Sequence, residues 1–551
     1  MSACKNIGYS QELAKESTFV SPWKDIDLDG IEAIRYEDYG AVGDGVTDDS
    51  AAIRAAHDAA NEKDVPVIGR SDAKYYIGEL SSPIVIKTDT NWNGAEIIFG
   101  DEKVAWNNRN RSVYVFEVHS RIPEVSVEIP EGCVLSKGQT NIGIKFDEPC
   151  MLKLENANEK IYVRYGCNAN DGVPKNEMIL VDTDGNVDPT TPIQYDYPAV
   201  TKITRFSTSD RPLTVGNAFM RTVVYDPKAH DPEYENNYCY YGRGIAVKRS
   251  NTTLYGIKHR IDGEDLTIEI DRNGDGIIDK WGADKSYGVP YIGFFYFNRC
   301  NNTLMTDCYV QGHQAYSFYQ GATRDTKGTT RNEMGSYDIN ATDCINLKLN
   351  NVIQHENEET GEVITNRFMY HGVMGSNFCR NIVMENCYVD RFDSHQGVHN
   401  ATIKNSTLGF GILVIGGGDL NIENVYRVSG NAFIHLRMDY NSVFDGDVTL
   451  KNCRFGSTLT TAIEGLWVRF FNGLVNHVTN SLSIDGIVAD SGELTLYDIR
   501  SASIDALTDE INALYLPKSV TIKNVCDSEG NPIDIRLATA EKIFDGVEVI
   551  K

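Results

Sequence analysis

Four stretches in the second half of the chain are variants of one short strand ending in asparagine. They are Val383-Met384-Glu385-Asn386, Thr402-Ile403-Lys404-Asn405, Asn421-Ile422-Glu423-Asn424 and Thr449-Leu450-Lys451-Asn452. Their asparagines stand 19, 19 and 28 residues apart. Related pieces are Asn346-Leu347-Lys348-Leu349-Asn350-Asn351 and Thr521-Ile522-Lys523-Asn524. A repeat of about twenty residues predicts one coil of a parallel β-helix, and longer gaps are loops leaving one corner. Asparagines on successive coils then stack at a buried corner, each amide bonding the next. Cys308, Cys387 and Cys453 each follow an apolar strand and an Asp or Asn, which places them stacked inside the solenoid.

Near the start, Tyr39-Gly40-Ala41-Val42-Gly43-Asp44-Gly45-Val46-Thr47-Asp48-Asp49-Ser50-Ala51-Ala52-Ile53 joins a strand exit, a glycine turn and a helix start. Thr47, Asp48 or Asp49 is the expected cap, and Ile53, Ala56 and Ala60 form a narrow apolar stripe at helical spacing. This segment resembles the opening motif of the pectate lyase-like superfamily. The resemblance implies a helix plugging the open end of a right-handed parallel β-helix, an all-β fold. It leaves the chemistry open, because enzymes of several reaction types and many phage tailspikes share the motif. Met374-Gly375-Ser376-Asn377-Phe378-Cys379, Gly416-Gly417-Gly418 and Leu436-Arg437-Met438-Asp439-Tyr440 are similar to stretches of uncharacterised bacterial β-helix proteins. The Asn-Thr-Asp and Gly-His-Gly motifs of polygalacturonases and the Arg-x-Pro-x-x-Arg of pectate lyases are absent, so pectin is not the expected substrate.

The pattern divides the chain into an arm (1–33), the capping helix with first coils (34–110), a β-rich insertion (111–235), the main helix (236–530) and a tail (531–551). Within the insertion, Val125-Ser126-Val127-Glu128-Ile129 and Ile161-Tyr162-Val163-Arg164-Tyr165 alternate in polarity as strands do. Composition adds three points. Across 551 residues the formal net charge is −26, which argues against nucleic acid or an anionic membrane as partner. The first residues carry no apolar signal core, giving a cytoplasmic or virion-associated chain as the expectation; a trimmed exported chain would start the same way. The 12 cysteines include no Cys-x-x-Cys and read as reduced thiols.

Two constellations carry candidate chemistry. Asp271-Arg272-Asn273-Gly274-Asp275-Gly276-Ile277-Ile278-Asp279 resembles a calcium loop, with Asp271, Asn273, Asp275 and Asp279 as side-chain ligands and the Ile277 carbonyl as a further one. Gly282 stands where an EF-hand has glutamate, so a structural calcium site and a plain acidic turn both stay open. No organic cofactor is expected.

The second constellation is a polar stripe. Aligned by their asparagines, the coils stack Phe392-Asp393-Ser394-His395, Ile412-Leu413-Val414-Ile415 and Phe433-Ile434-His435-Leu436-Arg437-Met438-Asp439. Arg367-Phe368-Met369-Tyr370-His371-Gly372 takes the same place one repeat earlier. Alternation sends His435, Arg437 and Asp439 to one face, opposite Ile434, Leu436 and Met438. Asp393 and His435 then lie two coils apart, roughly 10 Å, with Gly416-Gly417-Gly418 leaving room between them. A glycosidase would use Asp393 and Asp439, with Asp390 as substitute. A uronide lyase would use Arg437 to neutralise the substrate, His395 or His371 as base and Tyr370 as acid. His399, His313 and Tyr316 are further candidates, and a zinc site from the histidines is a minor alternative. The expected function is glycosidic-bond cleavage on the solenoid face, glycoside hydrolase ahead of polysaccharide lyase, with a poly- or oligosaccharide as partner. The alternative is a phage tailspike that binds surface glycan. A monomer fits the first and a homotrimer the second.

Overall fold

The structure is a computed structural model. It describes the chain except residues 1–17, 79, 102–112, 163–171, 224–241, 264–268, 271–279, 282–291, 313–315, 319–330, 334–336, 355–371, 431, 438–443, 467–475, 478, 500–513, 539–546 and 551.

The repeated strands stack in register. Ile403 pairs with Ile422, Ile422 with Leu450, Leu450 with Ile484 and Ile484 with Ile522, all parallel. These side chains form one column of the core. Each fully buried Ile or Leu contributes roughly 1.5–3 kcal/mol, so column after column of them holds the stack. Their polar neighbours Thr402, Asn421, Thr449, Ser483 and Thr521 form the adjacent outward column. Twenty-six strands join one sheet this way. Parallel crossovers take the right-handed path, giving a right-handed parallel β-helix.

Asparagine turns the corners, and it does so through its backbone as well as its amide. Asn381, Asn386, Asn400, Asn424 and Asn452 all hold a left-handed φ between 52° and 60°, a conformation asparagine tolerates better than other side chains. Asn386 Nδ2 donates to Asn350 Oδ1 at 3.0 Å, and Asn424 Nδ2 to Asn405 Oδ1 at 2.9 Å. A second ladder at another corner runs from Asn400 through Asn381 and Asn346 to Asn301, with steps of 3.0, 3.2 and 3.0 Å. Asn301 and Asn350 are buried, while the other ladder asparagines are exposed or half-buried.

The helix α1 spans Ser50–Lys63 and buries Ile53, Ala56 and Ala60 in the core. Of the three capping candidates, Asp48 reaches the Ser50 amide, at 3.0 Å. Asp49 turns back instead, accepting from the Val42 and Gly43 amides at 2.7 and 3.1 Å, and so pins the preceding loop. Beneath α1, Trp92 Nε1 donates to Tyr36 Oη at 2.9 Å, so the Tyr36 hydroxyl donates to His57 Nε2 at 2.8 Å. Burial pushes the His57 pKa down to about 3.

The insertion is narrower than 111–235. Phe116–His119 and Leu213–Val223 both pair within the solenoid, so the inserted unit covers about residues 120–212. Its antiparallel sheet orders Val173–Val181, Cys150–Ile161, Lys202–Ser207 and Val125–Ser126, with its own core around Leu152, Ile179 and Ile203. It is fastened to the solenoid by Lys153–Asp343 at 2.7 Å, Lys137–Asp445 at 3.2 Å and a buried Arg380–Glu177 pair. The tail also departs from expectation: Ile535–Ala538 and Glu548–Ile550 continue the parallel ladders.

The described cysteines are free thiols. Cys308, Cys387 and Cys453 are buried along one inward column, though not on adjacent rungs: Cys308 pairs with Val352 and Cys453 with Ile487. Cys300 and Cys344 touch, Sγ to Sγ at 3.3 Å, and Cys379 also interacts with Cys344.

Candidate functional site

The polar stripe forms a ladder row. Asp393 pairs with Leu413, Leu413 with His435 and His435 with Glu464. Glu464 pairs in turn with Asp498. Phe392, Ile434 and Ile463, next to members of the row, point into the core, so alternation sets the row on the outer face. Asp393 and His435 are therefore two rungs apart, as their spacing from the corner asparagines predicts.

Two carboxylate–histidine pairs stand in or beside this row. Asp393 is 0% exposed. Its Oδ2 receives the Arg391 guanidinium and lies 3.1 Å from His395 Nε2 and 3.4 Å from Tyr337 Oη. Enclosed in this way, Asp393 orients His395, whose side chain keeps solvent access. His435, 9% exposed, sets Nδ1 3.0 Å from Oε2 of Glu464, itself 1% exposed. That distance puts the ring in direct contact with the carboxylate. Burial lowers the His435 pKa; the Arg427 and Arg391 charges push the same way and Glu464 partly offsets them. His435 is thus a neutral imidazole at pH 7, able to take a proton.

The carboxylates divide by distance. Asp393 and Glu464 are three rungs apart, roughly 14 Å at 4.8 Å per rung, too far to act on one bond. Glu464 and Asp498 occupy adjacent rungs, roughly 5 Å apart on the same count. Neither was found by reading the sequence. Glu464 follows the corner Asn452 by twelve residues, as His435 follows Asn424 by eleven, and that offset was the available signal.

Other candidates fall elsewhere. Asp390 lies at an irregularity in the ladder between Val389 and Arg391. Its amide donates to Gln354 Oε1 at 2.7 Å, in a buried group with Asp338, away from the outer row. His399 lies beyond the row and faces the insertion, where Gln194 Nε2 donates to its Nε2 at 2.8 Å. The strand Ala432–Arg437 ends at Arg437, whose side chain lies outside the described residues. Tyr370, His371, Asp439, His313 and the Tyr316 side chain also lie outside them, as do Asp271, Asn273, Asp275, Ile277 and Asp279. Val373 and Met374, rather than Tyr370 and His371, pair with Phe392 and Asp393.

The three glycines do not open a floor between Asp393 and His435, because Leu413 fills that rung. Gly416 and Gly417 instead pair with Val398 and His399 on one side and Phe444 and Asp445 on the other. They serve close packing: a Cβ on Gly416 would lie 2.0 Å from the Val398 carbonyl oxygen. A glycine allows either room or close approach, and here it is the second.

No protein-family model matches the chain, and no curated protein matches it. Among solved structures, the tailspike of Acinetobacter baumannii bacteriophage AP22, in complex with A. baumannii capsular saccharide, aligns over 96% of this chain and 82% of its own at 11% identity, TM-score 0.48. The tailspike of Pseudomonas phage phi297 aligns over 94% of this chain and 84% of its own at 11% identity, TM-score 0.45. The exopolygalacturonase of Thermotoga maritima aligns over 90% of this chain and 92% of its own at 9% identity, TM-score 0.36. The chain's own ladders establish its architecture, a right-handed parallel β-helix.

Proposed function

We propose that this protein cleaves a poly- or oligosaccharide laid along the outer face that carries Asp393, His435, Glu464 and Asp498. The observation that carries the reading is the adjacent-rung pairing of Glu464 with Asp498, beside the neutral His435. A retaining glycosidase needs two carboxyl groups roughly 5 Å apart, one to protonate the leaving oxygen and one to attack the sugar. Buried Glu464 suits the acid and half-buried Asp498 the nucleophile. This replaces Asp393 and Asp439 as the leading pair, since Asp393 is enclosed by its own partners.

The second reading is a β-eliminating lyase, favoured by the His435–Glu464 contact: a carboxylate-held neutral imidazole is a competent base for a C5 proton. Arg437 would neutralise the uronate. The third is a glycan-binding tailspike without turnover, virion-associated and homotrimeric, which a sizing column separates from a monomeric enzyme. A structural calcium ion in the loop at 271–279 accompanies any of the three.

The test is incubation with neutral and uronic-acid glycans, following new reducing ends and ultraviolet absorbance together. Reducing ends without absorbance, reduced about a hundred-fold or more in Asp498→Asn and Glu464→Gln, fit the hydrolase. New absorbance gives the reaction to the lyase. Binding without either signal gives the protein to the tailspike reading.

A further inference from the structure

Where the insertion meets the solenoid, beyond the catalytic row, a cavity of about 380 Å³ opens. That is the small end of ligand-binding cavities, room for one sugar ring rather than a chain. Its insertion wall holds Lys160, Tyr162, Asn176 and Tyr195; its solenoid wall includes Phe378 and Gln396.

Asn176 supplies the strongest indication that the cavity is built for a ligand. It is 5% exposed. Its Nδ2 donates to the Pro174 carbonyl at 2.8 Å, which fixes the amide's orientation. Its Oδ1 is then left buried without a donor. A buried acceptor in that state is costly unless something supplies a donor.

The apolar side is equally defined. The rings of Tyr162 and Phe378 meet edge to face at 5.5 Å. Tyr162 holds a left-handed φ of 54°, and its hydroxyl lies 3.3 Å from that of Tyr195. Glycine at 397 leaves room for that hydroxyl: a Cβ there would lie 2.2 Å from Tyr162 Oη. Charges on the walls are mostly cancelled, Arg380 by Glu177 and Lys137 by Asp445. His399 adds none, since burial, with the Arg380 and Lys137 charges, pushes its pKa down to about 3. Exposed Lys160 has no acidic partner among the described residues, and the Gln396 amide makes no bond there either.

We propose that this cavity is a recognition site for a single sugar unit bearing a carboxylate. A ring hydroxyl donates to Asn176 Oδ1, the C–H face of the ring packs on Tyr162 and Phe378, and the carboxylate meets Lys160. The site binds whether or not the catalytic row turns over.

The test is calorimetry on the full chain with D-glucuronic acid and D-glucose, which differ at one carbon. The wild type should bind glucuronic acid the more tightly. Lys160→Ala should weaken glucuronic acid about three-fold and leave glucose unchanged, as expected of an exposed ion pair. Asn176→Leu should weaken both about tenfold, with an unchanged circular dichroism spectrum. Asp498→Asn should bind both like the wild type. The proposal is overturned if neither sugar binds, if Lys160→Ala binds glucuronic acid as the wild type does, or if Asp498→Asn abolishes binding. Lys160 is exposed, so its variant keeps the test decisive even if Asn176→Leu fails to fold.

Discussion

Replacing Asn381 with alanine isolates what the corner ladders contribute. Two bonds would go: the one its amide donates to Asn346 at 3.2 Å, and the one it accepts from Asn400 at 3.0 Å. Each contributes about 1 kcal/mol. Alanine would also have to hold the φ of 54°, a further cost of about 1–2 kcal/mol. The sum is about 3–4 kcal/mol. Asn381→Gly loses the same bonds but not the backbone preference, so it should be milder by about 1 kcal/mol after allowing for glycine's extra freedom when unfolded. A solenoid coil contacts mainly its neighbours, so the loss is local. Hydrogen exchange followed by mass spectrometry reads it directly. Peptides from Gly372–Glu385 and Gln396–Val414 should exchange about a hundred-fold faster in Asn381→Ala, while Ser481–Ala489 stays unchanged. A change under three-fold in the two near strands, or a glycine variant as damaging as alanine, would refute the argument.

Acid should loosen the helix-capped end. His57 is neutral in the fold with a pKa of about 3, and near 6.5 once unfolded, so the unfolded chain binds the extra proton between those values. Its contribution is complete above pH 6.5 and falls as pH drops, by about 2 kcal/mol at pH 5. Guanidinium midpoints at pH 7 and pH 5 measure this, and a flat profile contradicts it. For the acidic loop, millimolar calcium should raise the melting temperature of the wild type but not of Asp275→Ala. Equal curves with calcium and with chelator would make the loop a plain turn.

The fold was legible because its signals are local. A strand ending in asparagine says where a coil turns, and apolar alternation says which side faces in, so the spacing alone places Asp393 and His435 two rungs apart. The site was less legible where distance along the chain separates neighbours in space. Glu464 and Asp498 sit on coils separated by long connections; only the offset from Asn452 points to Glu464, and nothing in Leu494–Ile499 marks Asp498 as its neighbour. The glycines at 416–418 were misassigned because sequence shows the missing side chain without showing what comes close. Asp393 reads as a catalyst in sequence and as a support in space, since Arg391, His395 and Tyr337 claim its carboxylate.

The junction of the insertion has a consequence for how such a protein diversifies. The strand before it ends at His119 and the strand after it begins at Leu213, and both remain in the solenoid ladders. Ser120 Oγ donates to Asp210 Oδ1 at 2.7 Å, tying the two ends of the excursion together across ninety positions of chain. Closing a longer loop over a fixed gap grows only logarithmically in cost. The coils therefore set few demands on what is threaded between those two residues. A different module of similar footprint could be exchanged there, changing the surface the molecule presents while the row from Asp393 to Asp498 keeps its own ladder pairings.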